Sequence, residues 1–351
     1  MIRTRMGDAS MVEMSRDDLR RDLVEGTEAA AKKGKIPPLD ENELDYLKDM
    51  FACPSRIWGV ERGHEAVLTK DGSVNTLCSS RLSSGVAAPI GREQAIRLFE
   101  TAFAYDSMEV GHLDYSVKPC KFIATVEQEH MELLQHITIL PLFYGFMPNL
   151  GLYYQPDGSF PNPSDLLPLG KIDEARQAQE EALEACREDT VWLSRQMVDV
   201  AADGINYDTV ASTGDAEFLA TLRACDEVSK ATNMAVEIGM AAELVLGFHG
   251  ELEYDGTRLA GLWPHQQLKL VEKAGGAIFG PVVNNNTKKS CPWNVARAVT
   301  FIKACTAEAT IPVHPNVGNG VGGVPMFEVS PIDMVTRASA AMIEIGRADG
   351  L

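Results

Sequence analysis

From Ser107 onward the chain alternates short apolar runs with longer segments of helical periodicity, and nothing else in the sequence constrains the fold as tightly. Strands that alternate with helical patterns read as βαβ units carrying a parallel sheet. The apolar runs are Met108–Leu113, Ile137–Phe143, Gly204–Tyr207, Met234–Ile238, Ala277–Val283 and Ile311–Val317. Between the second and third, Leu183, Cys186, Thr190, Leu193, Met197 and Val200 recur at spacings of three and four, which puts one stripe of a long crossover helix against the sheet. A further helix is predicted around Pro292, a first-turn position. Another starts at Ser330-Pro331-Ile332-Asp333, where Ser can cap, Pro suits the first turn and Asp complements the helix dipole. Its buried stripe is predicted to be Val335, Ala338, Met342 and Ile345.

The units echo one another at their turns. The long helix ends in Ala202-Asp203-Gly204-Ile205-Asn206, and the last helix ends in Ala348-Asp349-Gly350-Leu351, with Ala274-Gly275-Gly276-Ala277-Ile278 a looser copy. The count is about six strand-helix cycles and the threshold of a seventh, whereas a closed barrel needs eight. The expected fold is therefore α/β, a TIM (β/α)8 barrel incomplete in this sequence, over residues 107–351. Residues 1–106 read as a helical and irregular cap. Ser15-Arg-Asp-Asp18 resembles a capping box, Gly34, Pro37 and Pro38 stop that helix, and a short one follows from Asp40. Cys53 to Pro89 reads as loop or hairpin. An open doubly wound sheet is the alternative. It lacks a dinucleotide signature, because Gly318-Asn-Gly320-Val-Gly322-Gly323 fits G-x-G-x-x-G but no helix starts before Pro331 to meet a phosphate.

Composition narrows the partners. Lys and Arg number 32 against 50 Asp and Glu, a net charge of −18, which removes the basic footprint of nucleic-acid binders. The N-terminus has no apolar h-region and the best apolar run, Ile137 to Met147, is too short to span a bilayer, so no membrane association is expected. Seven cysteines, an odd number without a CxxC, fit reduced thiols in a cytoplasm.

Barrel chemistry occurs at the C-terminal ends of the strands. His112 and Asp114, Tyr144, Asn206 and Asp208, Glu237, Asn284 to Asn286, and His314 fall there. Together they suggest a pocket for a small polar or cationic ligand held between carboxylates, amides and an aromatic ring. Singly, any of them can equally cap a helix or satisfy a loop carbonyl. Glu237 stands out, since a carboxylate after the apolar Met234-Ala-Val236 needs a partner or a task. No metal site is expected. His112-x-Asp114 is not a paired-His motif, and Glu127 with His130 has no second copy. A G-x-S-x-G elbow and a P-loop Lys are also absent from the sequence.

Several strings together are specific: Met108-Glu-Val-Gly-His-Leu-Asp-Tyr115, Pro141-Leu-Phe-Tyr-Gly145, Asn149 to Gly158, Gly261-Leu-Trp-Pro-His-Gln-Gln267, Ala296 to Lys303 and Val335 to Met342. They resemble the dimethylamine:corrinoid methyltransferases of methylotrophic methanogens, over nearly the whole chain. The resemblance implies a TIM-barrel enzyme of methanogenesis from methylamines that moves one methyl group from dimethylamine to the Co(I) corrinoid of a small partner protein and releases monomethylamine. It implies no cofactor bound by this chain, the cobalamin-type corrinoid being the partner's. It also implies a catalytic pyrrolysine, encoded by an in-frame UAG, directly after a motif similar to Ala348–Leu351. The sequence is thus expected to be the part preceding that codon, and 351 residues alone an inactive fragment. Under this reading Glu237 and Asp208 are catalytic, and Asn206, Tyr144, His112, Asp114 and His314 bind substrate. The loop of Gly318, Gly320, Gly322 and Gly323 faces the corrinoid, with plain loop flexibility the equal alternative. A homo-oligomer is expected. The competing readings are a UAG-terminated product without activity, and a metal-assisted barrel lyase or hydrolase using His112, Asp114 and His314.

Overall fold

The computed structural model describes the chain outside residues 62, 65–66, 71–73, 79–86, 92–105, 112–142, 200, 211–213, 248–249, 284–287 and 317–330. The strands are β1 (Ile2–Arg5), β2 (Met11–Met14), β3 (Val67–Lys70), β4 (Val74–Cys78), β5 (Ala87–Gly91), β6 (Asp106–Gly111), β7 (Phe143–Phe146), β8 (Gly204–Val210), β9 (Ala235–Met240), β10 (Glu253–Tyr254), β11 (Thr257–Arg258) and β12 (Ile278–Gly280). The helices are α1 (Arg16–Gly34), α2 (Glu41–Ala52), α3 (Pro163–Leu166), α4 (Ile172–Asp199), α5 (Asp215–Ala231), α6 (Pro264–Lys273), α7 (Cys291–Thr306) and α8 (Ile332–Glu344).

The fold is α/β with a central parallel sheet, as the alternation requires. Its six strands run in the order β3, β6, β7, β8, β9, β12, so each step along the sheet moves to the next sheet strand in the chain. The order continues past β12. Phe279 bridges Val313 and Val282 bridges Asn316, both in parallel. The backbone N–H groups of Asp349 and Gly350 then donate to the Val313 carbonyl at 3.1 and 3.4 Å.

The edge strand β3 corrects the loop-or-hairpin reading of Cys53 to Pro89. Val67–Lys70 is four residues long, too short for a period of two to be read from sequence, yet it pairs with β6 from Val67↔Asp106 to Lys70↔Glu109. It lies on the N-terminal side of the boundary anticipated at 106, and with it the turn at Ala348 leads into the eighth place of the strand order rather than the seventh. β4 and β5 form an antiparallel pair apart from that sheet, which fits the hairpin part of the same reading.

The turn echo is structural. Ala201, Gly275 and Arg347 all take left-handed φ values, 55°, 82° and 55°, and end helices α4, α6 and α8. Each stands three residues before the residue that enters the sheet, Gly204, Ile278 or Gly350. A left-handed residue just past a helix lets the next backbone N–H groups satisfy its last carbonyls while the chain reverses. Accordingly Ala202 donates to Met197 O at 3.0 Å, Gly276 to Val271 O at 2.9 Å and Ala348 to Met342 O at 3.0 Å.

Helix starts follow local chemistry. Ser15 accepts from the Asp18 N–H while Asp18 accepts from the Ser15 N–H, and Ser290 caps α7 by accepting from Trp293 N–H at 3.3 Å. α1 packs on α7 through Gly26, where a methyl group would stand 2.4 Å from the Trp293 carbonyl oxygen. α4 buries Leu183, Cys186, Thr190, Leu193 and Met197, the stripe its spacing predicts. α8 departs from its predicted stripe. Val335 is half-buried, while Thr336, Arg337 and Ser339 are buried beside Ala338 and Met342. The cause is a second neighbour: Arg337 donates to the carbonyls of Met50, Cys53 and Ser55, which wraps the end of α2 around the helix.

Two large apolar clusters hold the helices to this frame and to one another. Ile205, Tyr207, Val236, Ile238, Phe279 and Val313 form one face of the sheet, and α4, α5 and α6 pack on it through Leu193, Met197, Phe218, Leu222, Leu268 and Val271. A second cluster joins α1, α2, α7 and α8. On the opposite sheet face the described residues form a small apolar group of Phe143, Ile278 and Ala235. Among the described residues Cys186, Cys225, Cys291 and Cys305 are buried thiols outside any disulfide, Cys53 is a half-buried one, and no helix is long and apolar enough to cross a membrane.

Candidate functional site

Side chains alternate along a strand, and residues in parallel register share a face. Asn206 pairs with Gly145 on one side and Glu237 on the other, and Glu237 pairs with Ile278. Two residues further on, Gly239 pairs with Gly280. This face, opposite the helix-packed one, is therefore small or polar toward the C-terminal ends of the strands. Gly239 permits a close approach there: a methyl group on it would stand 3.1 Å from Asp208 Oδ1 and 3.6 Å from Asn206 Oδ1. A methyl on Gly280 would come within 3.1 Å of the Gly239 Cα and 3.4 Å of the His314 carbonyl oxygen. The His314 imidazole lies against Gly350, where a methyl would meet Nε2 at 2.6 Å and Cδ2 at 2.7 Å. Register and these approaches put Asn206, Asp208, Glu237 and His314 on the sheet face that carries Gly239 and Gly280, with Gly350 against the His314 ring.

Burial sharpens the electrostatics. Glu237 is 5% exposed and Asn206 6%. The Oδ1 of Asn206 and the Nδ1 of His314 are buried with no hydrogen-bond partner among the described residues. Burial holds protonation of His314 below the ordinary histidine range, while the nearby Asp349 carboxylate pulls the other way. Asp349 is itself fixed, accepting the Val313 N–H at 2.9 Å on Oδ2. A neutral imidazole between a carboxylate side and a glycine strand can accept a proton or donate one hydrogen bond.

The rim beyond β9 is anchored from the helix layer. Arg297 on α7 donates through Nη1 and Nη2 to Glu243 Oε2 and Oε1 at 2.7 and 2.6 Å. Gln267 at the start of α6 donates to the carbonyls of Glu243 and Leu262 at 3.1 and 2.9 Å, closing the loop that bears β10 and β11. Beside it the first turn of α5 buries two more carboxylates, Asp215 and Glu217, the latter accepting the Leu150 N–H at 3.1 Å.

Of the residues singled out in the sequence, Asn206, Asp208, Glu237 and His314 fall on one sheet face, and the oxygens of Asn206 and Asp208 both approach Gly239. Tyr144 pairs with Ile205, one register position away from Asn206, whose partner is Gly145. His112, Asp114, Asn284 to Asn286, Gly318, Gly320, Gly322 and Gly323 lie outside the described residues. The glycines of that face, the Arg297–Glu243 pair and the two α5 carboxylates were not apparent from the sequence. Glu-x-Gly in Glu237-Ile-Gly239 is the one local sign of the first, since alternation puts both on one face. Among the described residues no group of three His, Cys, Asp or Glu side chains is arranged to hold a metal ion.

Comparison with known proteins gives one family and several distant structures. The family model for dimethylamine methyltransferase matches residues 1–351, the whole chain. The carboxyl transferase domain of Rhizobium etli pyruvate carboxylase with 3-bromopyruvate is 11% identical, with 94% of this chain and 50% of that one covered at a TM-score of 0.39. This chain thus spans about half the length of that match. A dihydropteroate synthase from Coxiella burnetii in complex with pteroic acid is 12% identical, with 100% and 92% covered at a TM-score of 0.35.

Proposed function

Because this chain belongs to the dimethylamine methyltransferase family, we propose that it carries the amine site of a reaction that moves one methyl group from dimethylamine to the Co(I) corrinoid of a small partner protein, releasing monomethylamine. The observation that carries the reading is the sheet face at Gly239, which the oxygens of Asp208 and Asn206 approach and on which register also puts the buried Glu237 and, one strand further, His314. Dimethylamine is a cation near neutral pH, and a buried site that holds a cation needs negative charge and acceptors around it.

In this reading Asp208 and Glu237 stabilise the ammonium and exchange protons with it. Asn206 and His314 orient it, together with His112 and Asp114, whereas Tyr144 shares its row with Ile205 of the helix-packed face and is left out. The resemblance supplies the electrophile, a pyrrolysine directly after Leu351. Alternation gives that position the same face as Gly350, against which His314 packs. Covalent capture of the amine by its imine would hold the transferable methyl in one orientation, replacing a three-body encounter by a positioned displacement in which the C–N bonding pair stays with nitrogen. The corrinoid is a substrate carried by the partner, and the loop of Gly318, Gly320, Gly322 and Gly323 is assigned to face it. The sequential strand order supports a (β/α)8 barrel in which the strand containing the pyrrolysine closes against β3. The protein acts in the cytoplasm as a homo-oligomer.

The test is methyl transfer to free Co(I) corrinoid by the chain read through the UAG codon. Glu237→Gln and Asp208→Asn are each expected to slow transfer by about 100-fold or more, the range of a lost general acid-base group. Unchanged rates remove the residue from the mechanism, and a coding sequence with no TAG after codon 351 removes the electrophile.

A further inference from the structure

We infer that Asn206 and Asp208 together set how many methyl groups the bound ammonium may carry, by offering it two hydrogen-bond acceptors over Gly239. The inference rests on the reading of this sheet face as an alkylammonium site and adds to it the group that counts N–H bonds.

Asn206 is 6% exposed, and its Oδ1 is buried without a hydrogen-bond partner among the described residues. Native proteins rarely leave a buried amide oxygen in that state without a reason. Its direction is defined. The oxygen is 3.6 Å from the point a Gly239 methyl would occupy, and Asp208 Oδ1 is 3.1 Å from the same point. Both oxygens lean over a residue of β9 that has no side chain, and any other residue there would fill the space between them. Asp208 contributes a negative charge. Asn206 contributes an acceptor without a second charge, so its contribution depends on an N–H being present rather than on the charge of the cation.

The chemistry then reduces to counting. Dimethylammonium has two N–H bonds and can satisfy both oxygens. Trimethylammonium has one, and when Asp208 takes it, Asn206 Oδ1 is left against a methyl group, buried and without a donor. Methylammonium has three and also satisfies both. The pair therefore excludes the more methylated amine while accepting the less methylated ones, and exclusion falls on Asn206 because Asp208 keeps its Coulomb attraction to every member of the series.

The probes are dimethylammonium chloride and trimethylammonium chloride, titrated calorimetrically into the full-length protein at matched ionic strength. Loss of one charge-assisted hydrogen bond predicts that the first binds about 10- to 100-fold more tightly. Asn206→Leu, close in size and lacking the acceptor, is expected to bring that ratio toward one. Asn206→Asp keeps an acceptor in place and is expected to bind both cations more tightly while retaining the preference, which a purely structural role for Asn206 would not produce. Far-ultraviolet dichroism and melting curves confirm that each variant is folded. If dimethylammonium binds the wild type and the ratio survives in Asn206→Leu, the counting role is overturned while the alkylammonium site stands. If the wild type binds neither cation, the site reading is wrong and this inference falls with it.

Discussion

Replacing Arg297 with leucine should unfasten the loop that follows β9, and the structure sets the size of the loss. The two ends of the Arg297–Glu243 pair are 4% and 14% exposed, and two charge-assisted bonds of 2.7 and 2.6 Å join them. This is the bidentate geometry in which such pairs are strongest. Deleting one partner of a buried pair costs about 3–5 kcal/mol, chiefly because the remaining charge is left in a poorly solvated place. The guanidinium also sits 5.2 Å from the Phe301 ring centroid, a cation–π contact that contributes about 0.5–2 kcal/mol. Glu243 keeps some access to water, which offsets part of the penalty, so a loss of about 3–4 kcal/mol is expected for Arg297→Leu. Glu243→Leu should lose a comparable amount. The double variant should lose less than the sum by about 2 kcal/mol or more, since it strands no charge. Urea unfolding with an unchanged m-value measures all three. A loss below about 1 kcal/mol for Arg297→Leu, or additivity of the two single variants, would refute the claim that this pair is buried and coupled.

Two further predictions concern His314. In Gly350→Ala the new methyl would stand 2.6 Å from Nε2, so the ring must move; overpacking of this kind costs about 1–3 kcal/mol, and the His314 ring-proton resonances should shift with it. Unaltered resonances and stability would show that the imidazole does not rest on Gly350. The pH dependence has a definite sign. Burial puts the folded-state pKa of His314 below the ordinary 6.5, so between the two values the unfolded chain binds more protons and stability rises with pH. That contribution is complete above about pH 6.5 and is lost on acidification toward the folded-state pKa. His314→Asn should flatten the stability profile over this window, measured by denaturation midpoints from pH 5 to 7.5, and an undiminished slope would contradict it. His265, also lowered chiefly by burial, contributes with the same sign, so His265→Asn removes its own share and serves as the comparison.

Features written in local chemistry were legible without the structure. The Ser15 capping box, the α4 stripe and the Ala-Asp-Gly turns each depend on residues within a few positions, and each recurs in the fold. What was not legible depended on a distant partner. Arg337 reads as a charged surface residue until the carbonyls at the end of α2 surround it, and β3 reads as loop until β6 pairs with it. Arg297 and Glu243 are 54 residues apart, and no spacing rule joins them.

The site itself shows why strand ends are harder than strands. A shift of one residue in register moves every side chain of a strand to the opposite face. For β8 and β9 the sequence contained its own correction: Ile205 and Tyr207, like Val236 and Ile238, are apolar residues alternating with Asn206 and Glu237, and helices α4 to α6 pack on the apolar face. That alternation assigns the polar pair to the other face before any coordinate is known. β7 offers no such marker. Phe143, Tyr144 and Phe146 are all large and aromatic, so the sequence alone does not say which of them shares a row with Asn206, and the row proves to hold Gly145. Chemistry at a strand end can therefore be read from sequence where polar and apolar residues alternate, and elsewhere only from the neighbouring strand that sets the register.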